Sequence, residues 1–420
     1  MCATRASLGQ GLRWRDPTER ACSTLIAYSG RKIDFGPYSL RPPVLFAGYR
    51  MGDMPTAGLR AFPWDITETE ALLINAYDFT RPKYQAVINN GWHPPRDIQF
   101  GNRPLLVDSG AYYYWKENQI GIDPEAILRI EIRSKAHVGV VLDHPFPPDA
   151  KDKARRIDTT VRNTETMFRA AARGGHSFEL MPVIHGHSRR ALRHCLERLS
   201  RLSQKHRHSA ITRLGIGSIA PLAKQGNSLL AADILRTTRE LLPSAHLHCF
   251  SMGSPLLMLL AVYCGVDTVD SQTWIVSAGF KYAQLPGTYA TRLARREYPT
   301  YSRFRRSIRS FARQLRELSE SEGFFTKDWT TGAKLDLTSF SVCEQYTRSL
   351  SDLRRNENVH NRACHNLWVY NTEMKRCREA MQTGKLEEFI GARLKTSRYA
   401  AAFEIVRKRM GRKTVVPHNF

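Results

Sequence analysis

Eight short apolar segments, separated by stretches of helical periodicity, constrain the fold of this chain more than any other feature. Each segment is rich in Val, Ile, Leu or Phe and ends in a polar or glycine-containing turn, which is typical of buried strands. From the second segment onward they recur every 20 to 40 residues. The predicted strands are 44–48, 71–76, 104–108, 138–143, 179–184, 213–217, 247–251 and 266–270.

Amphipathic stretches at 149–173, 189–204 and 228–242 lie between several of these strands. Near-continuous apolar strands that alternate with helices indicate a parallel sheet covered on both faces. Eight such units close a (β/α)8 barrel, so the predicted fold is an α/β TIM barrel. A doubly wound open sheet is the alternative, but the G-x-G-x-x-G turn that it needs after a strand does not occur.

The composition changes after the eighth predicted strand. We expect an N-terminal extension over 1–40, the catalytic barrel over 41–290, and an Arg-rich helical region over 291–420. Within the last region, helices are predicted at 366–381 and 399–410, and 326–362 is expected to be loop-like. A helix at 364–390 is expected to pack back on the barrel.

Charge indicates the kind of partner. The formal net charge is +24, and Arg outnumbers Lys 47 to 16. Guanidinium groups bind phosphate oxygens in a bidentate manner, so this bias favours a nucleic acid, whereas the alternative is a merely soluble basic surface. The densest run, 292–316, is equally compatible with an amphipathic helix whose Phe304, Ile308, Phe311 and Leu315 face inward. The candidate nucleic-acid-binding residues are Arg295, Arg296, Arg303, Arg305, Arg306 and Arg309.

Targeting signals and cysteine usage bear on location. The first 25 residues contain no apolar signal region, and the longest apolar run, 255–266, is far shorter than the roughly 20 residues that span a bilayer. The eight cysteines occur singly and suit a reducing compartment. We therefore expect a cytoplasmic protein with no membrane partner.

Polar residues follow the predicted strands where barrel enzymes place their active sites. Asp108, Asp143 and Asp270 end the third, fourth and eighth strands. A single such carboxylate can be a helix N-cap, but three at one rim favour a site. Paired carboxylates can divide the work of glycosyl transfer between nucleophile and proton donor. The His185-Gly186-His187 run after the fifth strand also leaves a metal-dependent hydrolase as a remote alternative.

Six short motifs, in order along the chain, resemble those of queuine-type tRNA-guanine transglycosylases. Residues 72–82, LLINAYDFTRP, are similar to ILxNTYHLxxRPG, and 106–112, LVDSGAY, to TDSGGFQ. Residues 141–145, VLDHP, resemble ALDE, 216–219, IGSI, resemble IGGL, and 265–270, GVDTVD, match GIDMFD. The sixth motif combines HNL at 365–367 with REAM at 378–381 and GKLEEF at 384–389, which resemble HNLxF and REAIxxGxFEEF.

The resemblance implies roles for the site residues. Asp270 would be the nucleophile that bonds to C1′ of the sugar, Asp108 the general acid and base, and Asp143 the carboxylate that reads the guanine edge. Tyr112 would stack on the base opposite Phe250 or Met252. The remaining candidate substrate-binding residues are Asn75, Ser109, His185, Gly186, His187, Gly217 and Ser218.

Two departures from the family pattern matter. An imidazole-containing run, His185-Gly186-His187, replaces the family's VQGG. Of the family's zinc ligands only Cys343 and His365 remain, because Thr338 and Phe340 occupy the upstream positions. Two ligands cannot fill a tetrahedral site, so a structural zinc is not expected, although Cys364 and His360 leave a rearranged set open.

These departures resemble the DNA-guanine transglycosylase branch, the DpdA type. That resemblance implies exchange of guanine in DNA for 7-cyano-7-deazaguanine (preQ0), with no redox or nucleotide cofactor, after the target base is flipped out of the duplex. It also implies an ATPase partner protein as a possible companion. The alternatives are a divergent tRNA-guanine transglycosylase and a non-catalytic nucleic-acid-binding barrel subunit.

Overall fold

The computed structural model describes residues 31–51, 62–89, 101–117, 119–174, 179–205, 211–351 and 357–412. Most of the expected N-terminal extension therefore lies outside the described residues. The first described element is an antiparallel hairpin of β1 (Ile33–Phe35) and β2 (Tyr38–Leu40). Its Phe35 ring packs against Phe46 of the first barrel strand, 5.0 Å between centroids.

Nine parallel strand segments form the central sheet, and most of their side chains are buried. In chain order they are β3 (Val44–Gly48), β4 (Ala71–Asn75), β5 (Leu105–Asp108), β6 (Val138–Val140), β7 (Glu179–Met181), β8 (Val183–Ile184), β9 (Arg213–Ile216), β10 (His246–Cys249) and β11 (Thr268–Ser271). Each predicted strand overlaps one of these segments, or two in the case of 179–184.

The barrel closes through its fifth strand, which is interrupted. β7 pairs with β6, and β8 pairs with β9, while only Pro182 separates β7 from β8. Proline lacks an N–H group, which breaks the ladder there, but the Pro182 carbonyl still accepts a hydrogen bond from Gly215 N at 2.9 Å. β3 pairs with β11 and completes the ring. The predicted (β/α)8 barrel is thereby confirmed.

Helices follow the strands and cover the barrel. They are α1 (Pro63–Ile66), α2 (Pro82–Asn89), α3 (Pro124–Arg133), α4 (Lys153–Arg173), α5 (Arg189–Lys205), α6 (Ile219–Lys224), α7 (Ser228–Leu241), α8 (Pro255–Tyr263) and α9 (Thr273–Gly279). All nine residues of α8 are buried, because C-terminal helices cover its outer side. In the described part of the chain, no helix is long and apolar enough to span a membrane.

The segment after α9 forms a lobe with its own apolar core. It comprises β12 (Tyr282–Ala283), β13 (Thr291–Arg292), α10 (Tyr301–Glu322) and α11 (Phe340–Leu350). Helix α10 buries Phe304, Ile308, Phe311 and Leu315, as the amphipathic pattern predicted. The loop-like assignment of 326–362 is wrong over α11, whose apolar face of Cys343, Tyr346 and Leu350 is interrupted by small polar residues in the sequence. It is also wrong over 357–362, where the next helix begins.

The long helix α12 (Glu357–Gln382) returns to the barrel and contacts β3, α1, α8 and α9. It packs most extensively on α9, the helix that follows the eighth strand. Because it ends at Gln382, the helix predicted at 364–390 is divided between α12 and the next helix. The last helices, α13 (Leu386–Leu394) and α14 (Ala400–Arg412), pack on α8 and α7.

Candidate active site

Three aspartates converge at the carboxyl rim of the barrel. Asp108 is the last residue of β5, Asp143 follows β6 by three residues, and Asp270 lies in β11. Asp143 and Asp270 both exert an electrostatic effect on Asp108 that is large enough to shift its pKa, so the three carboxylates lie near one another. Parallel strands place their carboxyl ends at one rim, which explains why residues so far apart in sequence meet.

The surroundings of Asp108 favour its protonated form. Desolvation by burial, and then the negative charges of Asp143 and Asp270, raise the pKa of Asp108 well above its usual value. The backbone N–H groups of Gly110 and Ser109 oppose this shift only in part. Asn75 Nδ2 donates to Asp108 Oδ2 at 3.3 Å. The environment therefore favours the protonated acid, as a proton donor requires.

Asp270 presents its two oxygens to different surroundings. Its Oδ1 accepts a hydrogen bond from Ser251 N at 2.8 Å and lies 3.4 Å from His248 Nε2. The imidazole contact is too oblique to count as a hydrogen bond in this arrangement. Among the described residues Oδ2 has no comparable donor, so it is the oxygen left for a substrate. Asp270 itself is only 4% exposed.

A buried chain of hydrogen bonds ends beside Asp270. Arg213 Nη1 lies 2.9 Å from His246 Nδ1, His246 Nε2 lies 2.7 Å from Thr268 Oγ1, and Thr268 Oγ1 lies 2.9 Å from His248 Nδ1. A guanidinium can only donate, so His246 Nδ1 accepts and its proton sits on Nε2. The Thr268 hydroxyl then donates to His248 Nδ1. His248 consequently carries its proton on Nε2, the nitrogen that faces the carboxylate.

The sequence analysis did not identify these residues. His246 and His248 alternate along β10, so they share one face of the strand, and the register places His248 opposite Thr268 of β11. Burial and the neighbouring Arg213 charge hold the pKa of His246 well below its usual value, which keeps the ring neutral. Two histidines spaced two residues apart in a buried strand are the sequence feature that could have identified this polar cluster.

A second series of polar contacts, within the same polypeptide, positions Asp143. Its Oδ2 lies 2.9 Å from His185 Nε2, a short contact that lacks hydrogen-bond alignment. His185 Nδ1 lies 2.9 Å from Ser218 Oγ, which accepts from Phe146 N at 3.0 Å. Because two acceptors would repel at this distance, the proton of His185 belongs on Nε2, and the Ser218 hydroxyl donates to Nδ1.

Glycine at position 217 makes room for this imidazole. A Cβ atom there would lie 2.3 Å from His185 Cε1 and 2.9 Å from Val183 Cγ1. Gly217 and Ser218 were both predicted from the sequence as substrate-binding residues. In the structure, the His185 ring occupies the space beside Gly217, and Ser218 adopts φ of 63° as it turns to reach that ring.

The other predicted base-pocket residues differ in accessibility. Ser109 is buried, and its hydroxyl has no hydrogen-bond partner among the described residues. Tyr112 and Phe250 are half-buried, whereas Met252 is fully buried and contacts Cys249. Phe250 is thus the more accessible of the two candidates to face Tyr112.

His187 also lies after the fifth strand, where Gly186 turns the backbone with φ of 153°. The His187 ring contacts Phe146 edge-on at 5.2 Å. Burial, followed by the charge of Lys153 and the nearby His185 ring, lowers the pKa of His187 to about 4, so the His187 ring is neutral near pH 7. Neither ring nitrogen has a hydrogen-bond partner within the described ranges.

The predicted nucleic-acid-binding arginines lie outside the barrel, in and just before α10. The side chains of Arg296, Arg303, Arg305, Arg306 and Arg309 are exposed, while Arg295 is half-buried and stacks on Tyr301. Arg309 lies 3.4 Å from Glu344. The exposed face of α10 is therefore basic over its first half, whereas its C-terminal turns expose Glu317, Glu320 and Glu322.

The residues that resemble zinc ligands have other partners. His365 Nε2 donates to Gln284 O at 2.6 Å, and His365 Nδ1 accepts from Tyr346 OH at 2.9 Å. Burial lowers the pKa of His365 to about 4. Tyr346 OH is in turn bonded to Trp329 Nε1 and Thr326 Oγ1, each at 2.8 Å. Both nitrogens of His365 are thus committed to protein partners.

Cys343 Sγ lies 3.2 Å from Leu337 O, and Cys364 Sγ lies 3.5 Å from His360 Nε2. Burial raises the pKa of Cys343 to about 11, which disfavours the thiolate that binds metal. No group of three or more His, Cys, Asp or Glu side chains suited to a metal ion occurs in the part of the chain that the structure describes.

Comparison with known proteins supplies the context for this geometry. A family model described as queuine tRNA-ribosyltransferase matches residues 54–399. The tRNA-guanine(15) transglycosylase of Methanothermobacter thermautotrophicus is 27% identical over 330 residues, 77% of this chain and 43% of the relative. Its counterpart in Pyrococcus abyssi is 25% identical over 350 residues, 79% and 51% of the two chains. The chain thus spans about half the length of these relatives.

Proposed function

The chain belongs to the queuine tRNA-ribosyltransferase family, and we propose that it is a pentosyltransferase that exchanges guanine in DNA for the 7-deazaguanine preQ0 through a covalent aspartyl-sugar intermediate. The observation that carries the proposal is the convergence of Asp108, Asp143 and Asp270 at the barrel mouth, where burial and the two neighbouring carboxylates raise the pKa of Asp108. This arrangement separates a proton donor from a nucleophile, as double displacement requires.

In the first half-reaction, Asp270 Oδ2 attacks C1′ of the target nucleotide and the glycosidic bond breaks. Asp108 gives its proton to the departing guanine. Ser251 N–H donates to Oδ1, and His248 Nε2 lies 3.4 Å from the same oxygen, so the carboxylate presents Oδ2. In the second half-reaction, the incoming 7-deazaguanine returns a proton to Asp108 and attacks C1′, which releases Asp270. Two displacements give net retention at C1′.

Asp143 reads the base. Its oxygens accept from the N1–H and the exocyclic amine that guanine and preQ0 share. His185 stands near the position of the family's amide, but its contact is with Asp143. Its role in the proposal is to fix the orientation of that carboxylate, with Ser218 fixing the tautomer of the imidazole.

Two features favour DNA as the polynucleotide. The His185-Gly186-His187 run replaces the family's amide, and a hydrogen-bonded cluster around Tyr346 stands where tRNA enzymes have zinc ligands. The exposed arginines of α10 would bind the phosphates of either nucleic acid. A tRNA substrate is the second candidate, because the relatives cited above are named tRNA-guanine(15) transglycosylases.

Plasmid DNA and bulk tRNA, incubated side by side with labelled guanine or preQ0, separate the two candidates. We expect label in DNA, and label in tRNA alone would establish the second. Asp270→Ala should abolish both incorporation and a trappable enzyme–nucleic acid adduct. Exchange at the wild-type rate by Asp270→Ala would refute the assignment of the nucleophile.

A further inference from the structure

An aromatic cluster borders the site on the side of β4 and β5. It consists of Tyr77, Tyr112, Tyr113, Tyr114 and Trp115, all half-buried, and is called the aromatic platform below. Tyr77 stacks on Tyr113, with 4.3 Å between centroids, and meets Tyr114 edge-on at 5.7 Å. Tyr112 and Trp115 lie nearly parallel, 6.1 Å apart.

Positively charged side chains lie close to the aromatic rings of the platform. Arg81, whose side chain is 40% exposed, lies 5.6 Å from the Tyr77 centroid, and Lys116 lies 5.2 Å from that of Trp115. Trp115 and Lys116 also line an open groove of about 640 Å³. The remaining charged residues of that groove are Lys151, Arg155, Arg156, Asp149 and Asp152. Both arginines pair with Asp152, so Lys116 and Lys151 supply its remaining basic charge.

The platform is fixed to the catalytic rim. Asn75 donates to Asp108 through Nδ2 and accepts from Tyr77 N through Oδ1, so one amide links the general acid to the first ring. Gly110 permits the close approach, because a Cβ there would lie 2.3 Å from Asn75 Oδ1 and 2.4 Å from Tyr77 Cβ. Arg156 Nη1 donates to Trp115 O at 2.8 Å and secures the other end.

We propose that the aromatic platform binds the unpaired strand next to the flipped nucleotide, with bases of that strand stacked on its rings and phosphates held by Arg81, Lys116 and the basic side of the groove. Aromatic faces interleaved with cations are the surface that single-stranded nucleic acid fits, because every base offers a π face and every linkage a negative charge. The inference rests on the proposed function, which brings an opened strand to this rim.

Binding of a guanine-free strand tests the platform without involving the exchange reaction. The probe is a labelled thymidylate oligonucleotide of about 12 nucleotides, within the site size of one single-strand-binding module, titrated into the full chain at fixed salt. Trp115→Leu and Tyr114→Leu should each weaken its binding by about 5- to 150-fold, whereas Trp115→Phe and Tyr114→Phe should stay near wild type. Melting curves confirm that each variant is folded.

Tyr38→Leu is the matched control, because Tyr38 is a half-buried tyrosine in the β1–β2 hairpin that precedes the first barrel strand. It should leave binding unchanged. Folded leucine variants that bind the strand as tightly as wild type, or a loss that Tyr38→Leu reproduces, would overturn the proposal. Asp270→Ala should keep strand binding and lose exchange, so failure of the transglycosylase assignment is visible separately.

Discussion

Thr268→Val tests the hydrogen-bond chain beside Asp270. The substitution replaces the hydroxyl that joins His246 Nε2 to His248 Nδ1 with a methyl group of similar size. Both nitrogens are buried in the barrel core, so neither gains a water in exchange. Each unpaired group costs about 1 to 3 kcal/mol, and the added methyl returns about 0.8 kcal/mol. The net loss is about 1 to 5 kcal/mol in the free energy of unfolding.

The substitution should also slow the chemistry. Without the Thr268 hydroxyl, nothing fixes the His248 proton on Nε2, and the other tautomer would turn a lone pair toward Asp270 Oδ1. We expect adduct formation to slow by about tenfold or more, since 1.4 kcal/mol is tenfold in rate. Urea unfolding measures the first effect, and single-turnover trapping of the adduct measures the second.

Thr268→Ser is the control, because it keeps the hydroxyl and removes only the methyl. It should form the adduct at close to the wild-type rate. If the Val and Ser variants had the same unfolding free energy and the same rate of adduct formation, the hydroxyl would not connect the two histidines, and the proposed orientation of Asp270 would be wrong.

Three further variants test the rest of the site. Asp143→Asn should lower exchange about 10- to 100-fold, because its amide would place a donor against the base or His185. Nucleic-acid binding, measured by filter retention, should persist. If the variant lost both nucleic-acid binding and its cooperative melting transition, Asp143 would be a structural residue. Asp108→Asn should abolish exchange. It should also raise the free energy of unfolding relative to wild type, by more at pH 8 than at pH 5. The reason is that the pKa of Asp108 is raised in the folded state, so its favourable contribution to stability is complete at low pH and is lost as the pH rises through the folded-state pKa. Equal gains in urea unfolding at both pH values would contradict this. Tyr346→Phe should cost about 3 kcal/mol or more, since it strands His365 Nδ1 and two buried donors; chelator treatment of wild type should leave its melting temperature unchanged, and unfolding on chelation would reveal a metal.

The sequence by itself determined the local elements and placed three candidate aspartates at the ends of strands. Apolar strands that alternate with amphipathic helices predicted the barrel. An aspartate at the end of a strand can be recognised from that segment alone, because it depends only on the local pattern. The same is true of α10, whose inward face of Phe304, Ile308, Phe311 and Leu315 follows from helical periodicity. Helix α11 was not predicted from the sequence because small polar residues interrupt its apolar face.

Tertiary structure alone decided how distant segments meet. The fifth strand is split at Pro182, yet both parts keep their neighbours because the ring must close. Helix α12, which lies far along the chain, packs back on the first barrel strand and on helices α1, α8 and α9.

The proton affinity of Asp108 and the orientation of Asp270 are likewise decided by the tertiary structure. The first depends on two carboxylates brought in by other strands, and the second depends on the register that sets His248 opposite Thr268. Electrostatic shifts and hydrogen bonds act over a few ångströms of space, whereas periodicity reports only on neighbours along the chain, so these properties appear only when the barrel is closed.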